Sequence, residues 1–183
     1  MSAPARTADG AVRIRRGTAE GVLTPATEDD FAYVNANLRE MDRFEQDHFI
    51  KCGDIPGPDS LAQMERAWTL RLRGEIVGYV ALQVPPMKSP MASFRFVPML
   101  STTNVGHHPL DYARLSRPIL EYVISQAPAW VTDFLSAPLE RYAQSVKWHE
   151  KTMGWRRLAS YDVCGERSIL FHLNRKDIEH ASR

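Results

Sequence analysis

The run Leu139-Glu-Arg-Tyr-Ala-Gln-Ser-Val-Lys-Trp-His-Glu-Lys-Thr-Met-Gly154-Trp155 carries the most informative pattern in this chain. At the spacing of an α-helix, one face of this run is mostly apolar, which predicts an amphipathic helix. That face carries Leu139, Tyr142, Ala143, Val146, Glu150 and Met153. Gly154 stands where a residue in the left-handed conformation would end the helix.

Predicted strands flank this helix on both sides. Trp130–Leu135 is rich in residues that favour strands and precedes the helix. Arg156–Val163 and Ser168–Leu173 alternate well enough to form two strands after it, with Cys164–Gly165 as their tight turn. The predicted order is therefore strand, capped helix and hairpin.

This order, with the run Glu150-Lys-Thr-Met-Gly-Trp155 at the end of the helix, resembles the last third of the GNAT acyl-CoA N-acyltransferases. In that superfamily the helix typically ends in a Tyr-Glu-Lys-Leu-Gly-Phe type of motif. The Lys151-Thr152-x-Gly154 form and the charged turn Cys164–Arg167 look most like the acetyltransferase-like internal virion proteins of short-tailed phages. Pro25-Ala-Thr-x-x-Asp30 is similar to the phrase with which GNAT proteins commonly open.

The resemblance implies an α/β (α+β) fold. Its sheet would be mixed and mostly antiparallel, with a V-shaped splay between the fourth and fifth strands and helices on its flanks. A chain of 183 residues suits one such domain. We expect a basic N-terminal arm over residues 1–20, a single GNAT-like domain over residues 21–174 and a charged tail over residues 175–183 that frays.

The arm contains four arginines and little apolar surface, which predicts a flexible segment. The alternative is an electrostatic arm that lies on nucleic acid or on a neighbouring subunit. The formal net charge of +1 favours neither an acidic nor a basic partner, so nucleic acid is not the expected one.

The cysteines and the apolar runs of the sequence indicate the cellular compartment of the protein. Cys52 and Cys164 form no CxxC pair, so we expect two reduced thiols and neither a zinc site nor a disulfide scaffold. No apolar run approaches the ~18–20 residues of a membrane span, and the N-terminus lacks the apolar region of a secretory signal. The expected location is the cytoplasm of the host cell or the inside of a phage particle.

The middle of the chain contains the clearest pair of strands, Trp68–Leu82, with its turn at Arg73–Gly74. Residues Ala92–Ser101 return to strand, but Pro98 interrupts it because proline has no backbone N–H. In the GNAT fold the pantetheine arm of acetyl-CoA enters beside a bulge in the fourth strand, which implies an unpaired carbonyl near Pro98 that receives an amide. The alternative is that Pro98 only blunts an edge strand.

The loop Leu100–His108 and the helix after it would cradle the pyrophosphate of acetyl-CoA. The glycine signature of the family is absent from this loop, where only Gly106 is available. The resemblance implies cofactor-binding roles for Pro98, Met99, Leu100, Ser101, Gly106, His107, His108 and Arg114. We expect the helix to kink or restart at Pro118, with Ser116 as a second cap. No metal site is expected, because adjacent histidines are poor partners for tetrahedral coordination.

Two candidate catalytic residues lie near the end of the helix predicted in the run Leu139–Trp155. Glu150 stands where the family carries a tyrosine, and a carboxyl buried in the apolar face would favour its neutral form and could act as an acid. The alternative is an ion pair with Arg95 or Arg114. His149 lies at the edge of the same face and could serve as a base, although a helical histidine is more often a packing residue.

A charged stretch near residue 42 indicates the kind of acceptor substrate. The resemblance to GNAT proteins implies that this stretch forms a wall of the acceptor site. An acidic rim there suits a cationic amine, and the alternative is a solvated helix face. The rim consists of Glu40, Asp42, Glu45 and Asp47.

Two functions from different classes follow from these patterns. The first is an N-acyltransferase that moves an acetyl group from acetyl-CoA to a small-molecule or peptide amine. The second is a GNAT-like protein without turnover that is a structural or internal component of a phage virion and contacts other virion proteins. The missing glycine loop and tyrosine favour the second, whereas the strand break at Pro98 and the acidic rim favour the first.

Overall fold

The computed structural model of the chain describes residues 5–6, 10–53, 61, 64–84 and 92–181. The strands of this part are β1 (Ala5–Arg6), β2 (Val12–Arg16), β3 (Ala19–Pro25), β4 (Arg66–Leu72), β5 (Glu75–Leu82), β6 (Phe94–Phe96), β7 (Met99–Ser101), β8 (Asp133–Ser136), β9 (Arg156–Val163) and β10 (Glu166–Asn174). The helices are α1 (Glu28–Ala36), α2 (Glu40–Lys51), α3 (Pro109–Ser125), α4 (Ala143–Lys147) and α5 (Arg175–Ala181), with a 3-10 helix at Thr103–His107 and a π-helix at Trp148–Met153.

These strands form two sheets. The larger has the order β1-β2-β3-β4-β5-β7, and all its neighbours are antiparallel. The smaller has the order β6-β8-β10-β9, in which only the β6–β8 pair is parallel among the described strands. The predicted mixed, mostly antiparallel sheet with flanking helices is therefore confirmed.

Both predicted hairpins form, and for the same local reason. Arg73 and Gly74 join β4 to β5 with φ of 49° and 88°, and Cys164 and Gly165 join β9 to β10 with φ of 48° and 86°. Two successive residues with positive φ match the right-handed twist of the strands that they connect. Glycine adopts this conformation without steric penalty, which explains its place in each turn.

The two sheets diverge at Pro98. Val97 still donates its backbone N–H to Leu135 of β8 at 2.9 Å, which continues the pairing of β6. Pro98 has no N–H to give, and its carbonyl accepts from Ala81 of β5 at 3.1 Å. The next strand, β7, pairs only with β5 among the described strands. The chain thus changes sheet at Pro98, and an opening forms between β7 and β8, which correspond to the fourth and fifth strands of the predicted splay.

Helix α3 packs its apolar face on the larger sheet. Leu115, Ile119 and Val123 are fully buried there and belong to one core with residues of β2 and β3. The expected kink is wrong, because α3 runs without a break through Pro118. Ser116 lies within the helix and donates its hydroxyl to the carbonyl of Tyr112 at 2.6 Å, so it does not cap a second segment.

Helix α1 begins with a side-chain cap. Thr27 is its N-cap, and the Thr27 hydroxyl accepts from the backbone N–H of Asp30 at 3.1 Å. The Asp30 carboxylate does not return to the cap, because it pairs with Arg71 at 2.6 Å and accepts from the Thr69 hydroxyl at 3.0 Å. These contacts fix the start of α1 against β4.

Parts of the segments predicted as a flexible arm and a frayed tail belong to regular elements. The prediction of a flexible arm is wrong for residues 12–16, which form β2, because Val12 and Ile14 alternate with arginines and bury their side chains in the core. At the other end Arg175–Ala181 is a helix and not a frayed tail. The Arg175 guanidinium donates to the carbonyls of Ala127, Pro128 and Val131, which fixes the start of that helix.

The two cysteines are joined in a disulfide, so the prediction of two reduced thiols is wrong. Their Cα atoms lie 6.1 Å apart, although the residues are separated by 112 positions. This separation is within the range that a disulfide spans. The bond ties the end of α2, at Cys52, to the β9–β10 turn, at Cys164.

Other predictions concern segments outside the described residues. The spacing of Leu61 and Met64 predicts a short helix over residues 59–67; its end is wrong, because Arg66 and Ala67 belong to β4, and residues 59, 60, 62 and 63 lie outside the described part. The loop that Pro85, Pro86 and Pro90 predict by composition lies wholly outside the described residues. Within the described part of the chain, none of the helices has the length and apolar character that a membrane crossing requires.

Candidate active site

A cavity of about 620 Å³ occupies the opening between β7 and β8. Helix α2 closes one side of it, the start of α3 and the residues around the π-helix line another, and the loop after β8 completes the wall. Most of the surface is apolar, with Phe49, Phe94, Phe96 and Met99 among the lining residues. The cavity therefore combines a hydrophobic interior with the few polar groups described below, as small-molecule sites commonly do.

Two carboxyl groups of α2 face this cavity, Asp42 and Glu45. Asp42 is 4% exposed and accepts from Arg39 Nε at 2.6 Å. Burial raises the pKa of the Asp42 carboxyl, and the ion pair with Arg39 partly offsets that effect. The other two members of the predicted acidic rim, Glu40 and Asp47, are exposed on the same helix and do not line the cavity.

Glu45 is the titratable group best placed for chemistry near neutral pH. Burial raises the pKa of its carboxyl to about 7, and the charge of Asp42 adds to the rise. The N–H of Leu139 donates to Glu45 Oε1 at 2.8 Å, which partly stabilises the ionised form. A carboxyl with this pKa exchanges protons readily at physiological pH.

A hydroxyl pair lies where β7 meets α3. Tyr112 and Ser101 both line the cavity, and their hydroxyl oxygens are 2.8 Å apart. Burial raises the pKa of Tyr112, so its phenol stays protonated. The ring of Tyr112 stacks on Trp148 with centroids 6.2 Å apart. In the sequence Tyr112 is one of a series of apolar residues at helical spacing, and no local signal indicates that its hydroxyl reaches a cavity.

His149, one of the two predicted catalytic residues, does face the cavity and is 7% exposed. Its Nδ1 lies 2.8 Å from the carbonyl of Ser145, and its Nε2 lies 2.9 Å from Ser136 Oγ. A carbonyl oxygen only accepts, so Nδ1 carries the proton and Nε2 accepts from the Ser136 hydroxyl. Burial lowers the pKa of His149 to about 4, which keeps the ring neutral. Ser136 was not predicted as a site residue.

Glu150, the other predicted catalytic residue, is not buried in the apolar face. About a third of its side chain is exposed, it does not line the cavity, and Arg157 Nε lies 3.6 Å from its carboxylate. The reason is the π-helix Trp148–Met153, whose wider turn rotates Glu150 outwards and turns His149 inwards. The helix also begins only at Ala143, so the assumed α-helical spacing from Leu139 does not apply.

The predicted cofactor-binding residues divide into two groups. Pro98, Met99, Leu100 and Ser101 line the cavity. The other four do not line it, and they are Gly106, His107, His108 and Arg114. His107 Nδ1 and His108 Nε2 instead lie 3.1 Å and 3.0 Å from the same oxygen of Glu75, at the start of β5.

The expected free carbonyl beside Pro98 is not the Pro98 carbonyl itself, since that group accepts from Ala81. Successive residues of a strand direct their backbone groups to opposite sides. Val97 donates towards β8, and the Ser101 carbonyl accepts from the N–H of Arg39 at 3.0 Å, on the side away from β5. Met99, which lies between them, therefore directs its N–H and C=O towards the opening.

Neither of the alternative partners predicted for Glu150 forms its ion pair, which in the described part of the chain is with Arg157. Arg95 is 1% exposed and pairs with Glu65 at 2.6 Å, and Arg114 is exposed on α3. Among the described residues, no group of three or more His, Cys, Asp or Glu side chains is arranged to hold a metal ion.

No protein-family model matches this chain, and no curated protein matches its sequence. Solved structures with the same fold do match. The aminoglycoside acetyltransferase AAC(6')-Ib in complex with coenzyme A has a TM-score of 0.63 at 16% identity, with 89% of this chain and 99% of that chain covered. The spermidine/spermine N-acetyltransferase SpeG from Vibrio cholerae, in complex with manganese ions, has a TM-score of 0.60 at 13% identity, with 89% of this chain and 97% of that chain covered.

At these identities the likeness concerns the fold. Both neighbours are covered almost completely, so the shared architecture is the whole domain and not a fragment of it. The resemblance to internal virion proteins of phages stays a prediction. The two sheets that part at Pro98, the helices that flank them and these neighbours together show that the chain has the GNAT acetyltransferase fold.

Proposed function

We propose that this protein transfers an acetyl group from acetyl-CoA to a small cationic amine. The observation that carries the proposal is the position of Asp42 and Glu45, whose carboxyl groups face an otherwise apolar cavity at the opening beside Pro98. Two carboxyls in an apolar wall, Asp42 buried and Glu45 half-buried, are unfavourable without cationic partners, and of the two only Asp42 has an ion-pair partner in the described part of the chain. An ammonium group would supply the missing charge.

The acyl donor would lie along β7. The backbone N–H of Met99, directed to the opening, is suited to polarise a thioester carbonyl, which is the role of an oxyanion hole. The apolar lining from Phe96 and Leu135 suits the pantetheine arm. Neighbours of the same fold were solved with coenzyme A or acetyl-CoA, which supports this choice of donor.

The nucleotide end of the donor fits less well. The start of α3, where a pyrophosphate would meet backbone N–H groups, begins with Pro109, which has none. Glu75 adds a negative charge there through its contacts with His107 and His108. We therefore expect most of the binding energy for the donor to come from its acetyl-pantetheine portion.

Glu45 is the proposed general base. An amine enters the cavity as an ammonium and must lose a proton before it attacks the thioester. Burial raises the pKa of Glu45 to about 7, so a large fraction of the group is ionised and able to accept that proton at neutral pH. Asp42, held by Arg39, would remain as the charged group that attracts the amine. Aminoglycosides and polyamines are the amines to test first, because the neighbours of the same fold act on them.

The direct test is isothermal calorimetry with acetyl-CoA, followed by mass spectrometry of the amine products and a thiol-release assay. Kanamycin and spermidine serve as acceptors. We expect saturable binding of acetyl-CoA, an acetylated product, and a loss of turnover of about 10²–10⁴-fold in Glu45→Gln.

Asp47→Asn is the matched control, because Asp47 lies on the same helix but is exposed. Acetyl-pantetheine tests the donor site separately and should bind almost as well as acetyl-CoA. If neither donor binds at millimolar concentration, the proposed function is wrong. If both bind and no amine is acetylated, a non-catalytic role, as in the virion alternative, replaces it.

A further inference from the structure

We propose that Ser136 and His149 form a proton relay that carries a proton from the attacking nitrogen to the departing thiolate. The inference rests on the proposed acetyl transfer and assigns the acid step, for which this chain lacks the tyrosine expected from the resemblance. Both side chains line the cavity, and Ser136 ends β8, the strand on one side of the opening.

The geometry of the pair is that of a hydroxyl with its base. Ser136 Oγ and His149 Nε2 are 2.9 Å apart. The backbone carbonyl of Ser145, 2.8 Å from Nδ1, holds the ring in the tautomer whose Nε2 lone pair meets the hydroxyl. The Ser145 carbonyl thus fixes the orientation of the His149 ring, and Ser136 is the member of the pair whose hydroxyl can contact a reactant.

The surroundings of His149 make it a transient proton carrier. Trp148, Trp155 and Phe171 surround the ring with centroid distances of 5.1, 6.3 and 5.2 Å. Such an apolar setting disfavours the imidazolium, and burial lowers the pKa of His149 to about 4. An imidazolium formed during the reaction would therefore release its proton readily to a thiolate.

The proton balance closes without another reactant. Glu45 first takes one proton from the ammonium, and the free amine then attacks the thioester carbon. The nitrogen of the tetrahedral adduct gives a proton to Ser136 Oγ while the Ser136 proton passes to His149 Nε2. As the C–S bond breaks, the same path runs in reverse, and Ser136 Oγ passes a proton to the leaving sulfur. One C–N bond forms, one C–S bond breaks, both relay residues return to their starting state, and Glu45 releases the ammonium proton to solvent.

The π-helix explains why this pair occupies the site. With regular α-helical spacing, the inward position four residues before Gly154 would be Glu150. The wider turn brings His149 inwards instead, where it reaches Ser136 across 13 positions of sequence. A π-turn inside an α-helix often marks a functional site.

The experiment combines turnover with a spectroscopic measurement that needs no substrate. Nitrogen-15 NMR of the free protein should show His149 protonated at Nδ1, with an Nε2 resonance that is shifted by a hydrogen bond and that moves in Ser136→Ala. With acetyl-CoA and an acceptor amine, Ser136→Ala should lower kcat by about 10²-fold, with little change in KM for the donor. Ser136→Thr keeps the hydroxyl and should recover most of kcat.

His149→Phe tests the second member of the pair. Phenylalanine keeps an aromatic ring against Phe171 but has no nitrogen, so it should fold and lose kcat as Ser136→Ala does. Ser125→Ala, at the far end of α3, is the matched control for removal of a serine hydroxyl.

The outcomes separate the two proposals. If the wild type neither binds acetyl-CoA nor acetylates any amine, the proposed function fails and the relay fails with it. If the wild type is active and Ser136→Ala retains full kcat, or if the NMR shows Nε2 protonated in the free protein, the relay alone is overturned. Stable acetylation of Ser136, seen by mass spectrometry as a protein heavier by one acetyl group, would also overturn it in favour of a covalent intermediate.

Discussion

Substitution of Glu45 by glutamine should stabilise the folded protein, and by an amount that depends on pH. Burial raises the pKa of the Glu45 carboxyl from its ordinary value of 4.5 to about 7. Glutamine removes the charge but keeps a side-chain oxygen that can accept from the N–H of Leu139, as Glu45 does at 2.8 Å. The substitution therefore isolates the effect of ionisation.

The sign follows from proton linkage. Above about pH 7 the carboxyl is ionised in both the folded and the unfolded chain, and the folded state is destabilised by the full difference in pKa. Between pH 7 and 4.5 the folded state binds the proton first, so the free energy of unfolding rises as the pH falls. At about 1.4 kcal/mol per pH unit, the whole effect is about 3 kcal/mol.

Urea unfolding at several pH values from about 5 to 8.5 measures this difference. We expect the free energy of unfolding of Glu45→Gln to exceed that of the wild type by about 3 kcal/mol at the alkaline end. This difference should shrink as the pH falls towards 5. The lowered pKa of His149 has the opposite pH dependence, but it is common to both proteins and cancels in the comparison. Asp47→Asn is the control and should show no such gap. A gap that stays constant with pH would refute the argument that burial sets the pKa of Glu45.

Two further predictions concern stability. Reduction of the Cys52–Cys164 disulfide should lower the free energy of unfolding, because the bond joins residues 112 positions apart. The chain-entropy model gives ~4–5 kcal/mol for a loop of this length. On addition of a phosphine reductant, the urea midpoint of unfolding should fall in the wild type and stay unchanged in Cys52→Ser. Glu65→Gln removes a carboxylate from the buried Arg95 guanidinium and should lower the free energy of unfolding by about 2 kcal/mol. This is below the ~3–5 kcal/mol of a fully buried pair because Glu65 is partly exposed. A double variant with Arg95→Met should recover stability, and no recovery in thermal unfolding would contradict this account.

Much of the fold was predictable because short-range patterns determine it. The turns at Arg73–Gly74 and Cys164–Gly165 are marked by a glycine between alternating strands, and both hairpins form. The break at Pro98 was predictable because proline lacks the donor that a continuous strand requires. The strand β2 was missed, since a five-residue strand rich in arginine has too little local signal and depends on its pairing with β3.

The site was only partly predictable, for a different physical reason. His149 was identified, but Glu150 was placed inwards because a helical wheel assumes one spacing, and a π-turn changes it. The contact of His149 with Ser136 depends on how the π-helix meets β8, which no local pattern encodes. The disulfide was missed for the same reason, since only the tertiary fold brings Cys52 and Cys164 together.

Helix α2, which carries Asp42 and Glu45, is held at both of its ends. The N–H of Arg39 donates to Ser101 of β7 at one end, while His48 contacts the carbonyl of Val163 at 2.7 Å and Cys52 is bonded to Cys164 at the other. A helix anchored at both ends cannot move away from the cavity, so the width of the cavity on the side that α2 forms is fixed. For the protein to accept bulkier amines, the side chains on the cavity-facing side of α2 would have to be smaller. Exchanging loops would not change the width of the cavity on that side.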